Sequence, residues 1–195
     1  MGGGEILTLA SDPKYEDLMP SIRGWLTEAA FLAFPKGFEP PALKVVIGRL
    51  AGRVLPKLQL HGGLPPPNLT RDPETIKSME QDKLLHGNGT LKGLADFLDR
   101  SAALHNGETK LNKGVRSLWI SHGTEDKGAS FDASKKWFEE QTQVKDKEFK
   151  VYDGWYHQLH ADLPEDRPIF AKDVGDWIIA RLGPEEPRQL SDSKL

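Results

Sequence analysis

The apolar run Val115-Arg116-Ser117-Leu118-Trp119-Ile120-Ser121 constrains this chain more than any other segment. A run so short and so nearly continuous suits a strand buried on both faces, and such strands sit in sheets covered by helices on either side. The flanking sequence supplies those helices. Phe131 to Gln141 reads as one, with Ala133/Trp137 and Ser134/Phe138 stacked at i,i+4 spacing. Phe149-Lys150-Val151-Tyr152 reads as a further short strand. A last helix follows, with Phe170, Val174, Trp177, Ile178 and Leu182 on one face and Gly183-Pro184 as its stop. Strand, helix, strand, helix in this rhythm predicts an α/β fold built on a parallel sheet.

Upstream, Glu5 to Ala10 predicts a helix that Ser11-Asp12-Pro13 ends, because proline disfavours helical geometry in the residue before it. Ser21 to Thr27 has short-strand character and leads into the Pro/Gly-rich stretch from Phe34 to Pro41, where composition shifts. From Ala42 to Leu58, Leu43, Val46, Ile47, Leu50, Val54 and Leu58 recur at helical offsets, with Lys44, Arg49, Arg53 and Lys57 among the other positions. This stripe is open to two readings, a face packed on the body of the fold or a lid facing lipid. Asp72 reads as an N-cap with Pro73 in the first turn of a second helix, and Leu91 to Leu104 as a third. The expected divisions are a core helix and strand at 1–34, a helical insertion at 35–110, further core at 111–183 and a disordered polar tail at 184–195.

Composition narrows the function classes. With 195 residues, 37% hydrophobic and 28% charged, the chain has the make-up of one ordinary soluble domain. It has no cysteine, which excludes disulfides and thiolate metal sites. A net charge of −3 and the lack of any basic run interleaved with aromatics argue against nucleic acid as a partner. No window reaches the roughly 20 apolar residues of a membrane span, and the start lacks a signal peptide's order. A cytoplasmic location is expected, with peripheral contact to a membrane or lipid droplet left to the insertion.

Reactive groups of an α/β sheet gather in loops at the carboxyl ends of its strands. Two loops qualify here: His122-Gly123-Thr124-Glu125-Asp126 and Asp153-Gly154-Trp155-Tyr156-His157-Gln158-Leu159-His160. Adjacent strands lie about 5 Å apart, so an acid in one loop can reach a histidine in the next. A carboxylate and an imidazole so paired form two parts of a catalytic triad, and acid before histidine is the chain order of α/β-hydrolases. Asp126 is the preferred acid, with Glu125 as the second choice. His122 is expected to serve loop geometry or hydrogen bonding, and His61, His86 and His105 to be solvated surface residues. His157 and His160 lack a nearby third ligand, so neither a metal nor a cofactor is expected. Met1-Gly2-Gly3-Gly4-Glu5 reads either as a flexible lead-in or as the back half of a G-x-S-x-G nucleophile elbow whose serine would directly precede Met1.

Taken together, the His122 to Asp126 loop, the Asp153 to His160 loop and Leu69-Thr70-Arg71-Asp72-Pro73-Glu74 resemble the C-terminal half of the monoacylglycerol lipase and lysophospholipase group of α/β-hydrolases. The resemblance covers roughly residues 1 to 182. It implies the last three parallel strands of that fold with flanking helices and a helical cap insertion. It places the triad acid at Asp126, the triad histidine at His157 and one oxyanion donor at the Met1 backbone N–H, and it implies a monoacylglycerol or other monoacyl lipid ester as substrate. The nucleophile itself is absent from residues 1–195, and Ser11, Ser21, Ser121, Ser130 and Ser134 all lack elbow context. A catalytically silent protein that binds lipid or a partner is the alternative. Lys127-Gly128-Ala129-Ser130 departs from the family's "x-V-T-S" and is expected to loosen the acid's loop. With only three strands, Trp25, Leu26, Trp119 and Ile120 are expected to be partly uncovered and the protein weakly stable.

Overall fold

A computed structural model describes residues 1–183, so the tail at 184–195 lies outside the described residues. At its centre is β4 (Ser117–Gly123), every residue of which is buried. It pairs in parallel with β1 (Trp25–Glu28) on one side and with β5 (Asp146–Tyr152) on the other, in the order β1-β4-β5. The register sets Trp25 opposite Leu118 and Gly123 opposite Tyr152.

Side chains alternate across β4, and each face meets its own apolar layer. Leu118 and Ile120 join Leu7, Ala10, Leu104, Trp137 and Val144 on one side. Trp119 joins Tyr152, Trp155, Leu159, Phe170 and Trp177 on the other. These layers come from α1 (Gly2–Ser11), α5 (Phe131–Glu140) and α6 (Arg167–Ile179), among other segments. The uncovered strands expected from sequence are therefore not found. Trp25, Trp119 and Ile120 are buried, and only Leu26 is half-buried, because helices cover both faces even though β1 has a sheet neighbour on one side alone among the described residues.

Two other expectations shift. Pro13–Ser21 forms 3-10 turns, and β1 begins only after Gly24, where a β-carbon would lie 2.6 Å from Trp177 Cη2. Phe170 and Trp177 of α6 are buried, but Ile178 near its end and Leu182 beyond it are exposed, so the expected apolar face is narrower than its periodicity suggested.

Between β1 and β4 lie α2 (Ala42–Val54), α3 (Pro73–Gln81) and α4 (Leu91–His105). Asp72 caps α3 as expected, accepting the Thr75 N–H at 3.0 Å. This region is not wholly helical: β2 (Gln59–His61) and β3 (Asn88–Thr90) pair antiparallel, a ribbon too short and too exposed to leave a periodic signal. Against α4 the helix α2 sets Gly52, buried beside Leu91. The large aliphatic residues point elsewhere. Leu43, Val46, Ile47, Leu50 and Val54 are 71%, 52%, 56%, 54% and 78% exposed, so the stripe does not pack on the body of the fold.

Candidate active site

The acid loop begins where β4 ends. Gly123 is needed there because a β-carbon would sit 2.2 Å from the Trp155 carbonyl oxygen and 2.6 Å from that of Tyr156. Only glycine lets the two loops touch. Thr124 N–H donates to Tyr152 O at 3.0 Å and Glu125 N–H to Trp155 O at 3.1 Å. The turn after β5 is closed by Gly154, at φ +76°, whose N–H donates to Thr124 Oγ1 at 2.8 Å.

Asp126 is buried with both carboxylate oxygens in use. Oδ1 accepts the Gly128 and Ala129 N–H groups at 2.6 and 2.9 Å. Oδ2 lies 2.9 Å from His157 Nδ1 and 2.9 Å from His122 Nε2. Burial alone would push this carboxyl up, but the hydrogen bonds from His122 and His157 outweigh it and hold the group well below the usual carboxylate range. Asp126 is thus an ionised acceptor. Its partner His157 donates from Nδ1, which leaves Nε2 as the nitrogen able to take or give a proton elsewhere. The expected loosening of the acid's loop does not occur. Gly128 and Ala129 bind the carboxylate through their backbones, and Ser130 caps α5 by accepting the Ala133 N–H at 3.2 Å. Gly128 also leaves room for the His157 ring, since a β-carbon there would lie 3.1 Å from Nδ1.

A buried carboxylate holding an imidazole across the ends of two parallel strands has the geometry that general acid–base chemistry uses, and comparison with known proteins says to which lineage the chain belongs. The family model described as serine aminopeptidase, S33 matches residues 1–164. The chain belongs to this family. Over 186 residues it is 26% identical to a Schizosaccharomyces pombe protein provisionally named a monoglyceride lipase, a match that takes in 95% of the chain and 47% of the relative. Among solved structures it resembles the Paleococcus ferrophilus monoacylglycerol lipase, with a TM-score of 0.76 and 25% identity over 92% of this chain and 65% of that one. A soluble variant of Saccharomyces cerevisiae monoglyceride lipase, solved with a substrate analog, gives 0.78 at 20% identity, covering 92% and 62%. The α/β-hydrolase fold and the resemblance to its monoacylglycerol lipase group are thereby established, and this S33 family chain spans about half the length of its curated relative.

The other expected site residues fall as follows. Met1 is the N-cap of α1 and lies mostly exposed, with Glu5 and Arg100 near its amine. Behind it, a β-carbon at Gly3 would meet Ala30 at 3.0 Å and one at Gly4 would meet the Phe31 carbonyl oxygen at 3.1 Å, so these glycines bring α1 against the chain after β1. Glu125 is exposed and takes no part in the pair. His160 turns to Glu28 at the end of β1, with Nδ1 2.9 Å from the carboxylate, and that hydrogen bond raises its pKa above the ordinary value. His61 and His86 are exposed as expected, whereas His105 is half-buried with Nδ1 enclosed and unpartnered.

The sequence reading missed what holds the histidine loop from below. Asp162, fully buried, accepts the Arg71 N–H at 2.9 Å, the Arg71 Nε at 3.1 Å and the Tyr156 N–H at 3.2 Å. Gln158 N–H donates to Leu69 O at 2.8 Å, Thr70 Oγ1 to Ala161 O at 2.8 Å, and Arg167 pairs with Asp72 at 2.5 Å. Residues 69–72, at the root of the segment between β1 and β4, are therefore bolted to the loop that carries His157. The resemblance to Leu69-Thr70-Arg71-Asp72 was the only signal for this, and it did not name a partner.

Proposed function

We propose that this chain carries the acid and the histidine of a monoacylglycerol lipase-like serine ester hydrolase. Asp126 orients the ring, His157 acts as general base and then general acid, and the nucleophilic serine is supplied from immediately before Met1. The observation that carries this reading is the 2.9 Å contact between Asp126 Oδ2 and His157 Nδ1. In the proposed sequence, His157 Nε2 takes the serine proton as the hydroxyl attacks the ester carbonyl. The backbone N–H of Met1 gives the oxyanion one of its donors. His157 then returns the proton to the leaving alcohol, and water hydrolyses the acyl-enzyme by the reverse use of the same nitrogen. No cofactor enters this chemistry. The acyl-enzyme of this sequence forms on that serine.

The substrate class proposed is a monoacylglycerol or another monoacyl lipid ester, supported by the names of the matched relatives. Residues 35–110 serve as the cap. The exposed stripe of α2 favours peripheral contact with lipid from a cytoplasmic location, with Arg53 and Lys57 close to the headgroups. No helix among the described residues is long and apolar enough to cross a membrane.

The same stripe, with the single-sided pairing of β1, favours a second reading, a catalytically silent protein that binds lipid or a partner. A fluorophosphonate serine-hydrolase probe separates the two, applied to the 195-residue chain and to a form extended upstream through a Gly-x-Ser strand. Labelling of the extended form alone supports the hydrolase. Labelling of neither form favours the silent binder, and labelling of the short chain at a mapped serine would relocate the nucleophile.

A further inference from the structure

His122 is the one buried imidazole that the proposed mechanism leaves without a task. It lies on β4, fully enclosed, edge-on to Phe131 with ring centroids 5.8 Å apart. Its Nε2 faces two acceptors, Asp126 Oδ2 at 2.9 Å and the Ala129 carbonyl oxygen at 3.2 Å. Two acceptors converging on one nitrogen require the proton to be there. Its Nδ1 is buried with no hydrogen-bond partner, so a proton there would be an unsatisfied donor. His122 therefore carries a proton on Nε2 and donates it towards Asp126.

We infer that His122 is a positioning residue for the Asp126–His157 pair: its Nε2–H holds the carboxylate in register with His157 and takes a share of the oxygen that His157 also uses. This rests on reading Asp126 and His157 as the acid–base pair. The geometry sets the role out. Oδ1 is occupied by two backbone N–H groups, so the carboxylate cannot rotate without losing them. Oδ2 is left to divide between two imidazoles. A donor on each side pins the plane of the carboxylate, and the second donor withdraws density from the acceptor of His157. Without His122, Oδ2 would have one ring donor in place of two, and its hydrogen bond to His157 Nδ1–H would tighten. The held distance between base and acid is therefore set by both histidines, one on β4 and one in the loop after β5.

The test reads ring protons by NMR in the 195-residue chain, with signals assigned by His157→Gln. In the unsubstituted chain, His122 is expected to carry its proton on Nε2 and His157 on Nδ1. His122→Gln keeps an N–H near the position of Nε2 and should leave the His157 Nδ1–H resonance where it was. His122→Phe fills the space, removes the donor and should move that resonance downfield. An unchanged resonance in His122→Phe, or an equal movement in both variants, overturns the proposal. Should His122→Phe fail to fold, the unsubstituted chain still decides, because a His122 proton on Nδ1 refutes the role outright. None of these signals depends on the fluorophosphonate result, so a failed nucleophile assignment and a failed role for His122 remain distinct.

Discussion

Gly123 and Trp155 meet backbone to backbone, so closely that a β-carbon on Gly123 would lie 2.2 Å from the Trp155 carbonyl oxygen. That contact fixes how far the loop after β4 stands from the loop after β5, and with it the reach from Asp126 to His157. The opposing atoms are main chain and cannot swing aside as a long side chain would.

Gly123→Ala should force the two loops apart. The expected cost is about 3 kcal/mol or more, at the upper end for overpacking, which corresponds to a Tm lower by about 6 °C or more in a chain of this size. A thermal melt followed by circular dichroism checks it. A Tm within a degree of the parent would show that the loops have slack.

Arg71→Ala should leave Asp162 buried without its guanidinium. The expected loss is about 2–3 kcal/mol, confined first to the histidine loop. Hydrogen exchange would rise at residues 155–162 while the amides of β4 stay protected. Uniformly unchanged exchange would mean that Tyr156, Leu163 and Arg167 suffice to hold Asp162.

Acid pH should destabilise the fold through Asp126. Its folded carboxyl is held below the ordinary value of 3.8, so its contribution is complete above that value and is lost as pH falls through the lower folded one. Urea midpoints measured from pH 6 downward should therefore decline below about pH 4. Asp126→Asn should lower stability at pH 6 and flatten that decline. A variant with the parent's slope would assign the acid sensitivity to other carboxylates.

Val46→Ser with Leu50→Ser should leave the fold intact, since both side chains are already exposed. Stability is expected within about 0.5 kcal/mol of the parent. Association with vesicles of mixed neutral and anionic lipid should weaken about tenfold or more, given the apolar area withdrawn from the lipid. Unchanged vesicle binding would remove α2 as the contact surface.

Legibility followed the range over which each feature is encoded. Asp126 and His157 could be named because each follows a strand whose apolar run is local, and because such loops converge at the carboxyl ends of a parallel sheet. The Asp72 cap was legible for the same reason, in adjacent residues. The Arg71–Asp162 clamp spans 91 positions and has no local periodicity to announce it. The direction of the α2 stripe was also hidden. Periodicity states that Leu43, Val46, Ile47 and Leu50 share a face, and is silent on what that face meets.

By itself the sequence determined the alternation of strand and helix, the strand buried on both faces, and which two loops carry an acid and a histidine. These are consequences of short-range spacing, where one residue's neighbours decide its conformation. Only the tertiary structure decided that Trp25, Trp119 and Ile120 are covered, that His122 and His157 share one oxygen of Asp126, and that residues 69–72 lock the histidine loop in place. Those relationships join groups from distant parts of the chain. They exist only once β1, β4 and β5 are in register and the space between their loops has closed to hydrogen-bond range.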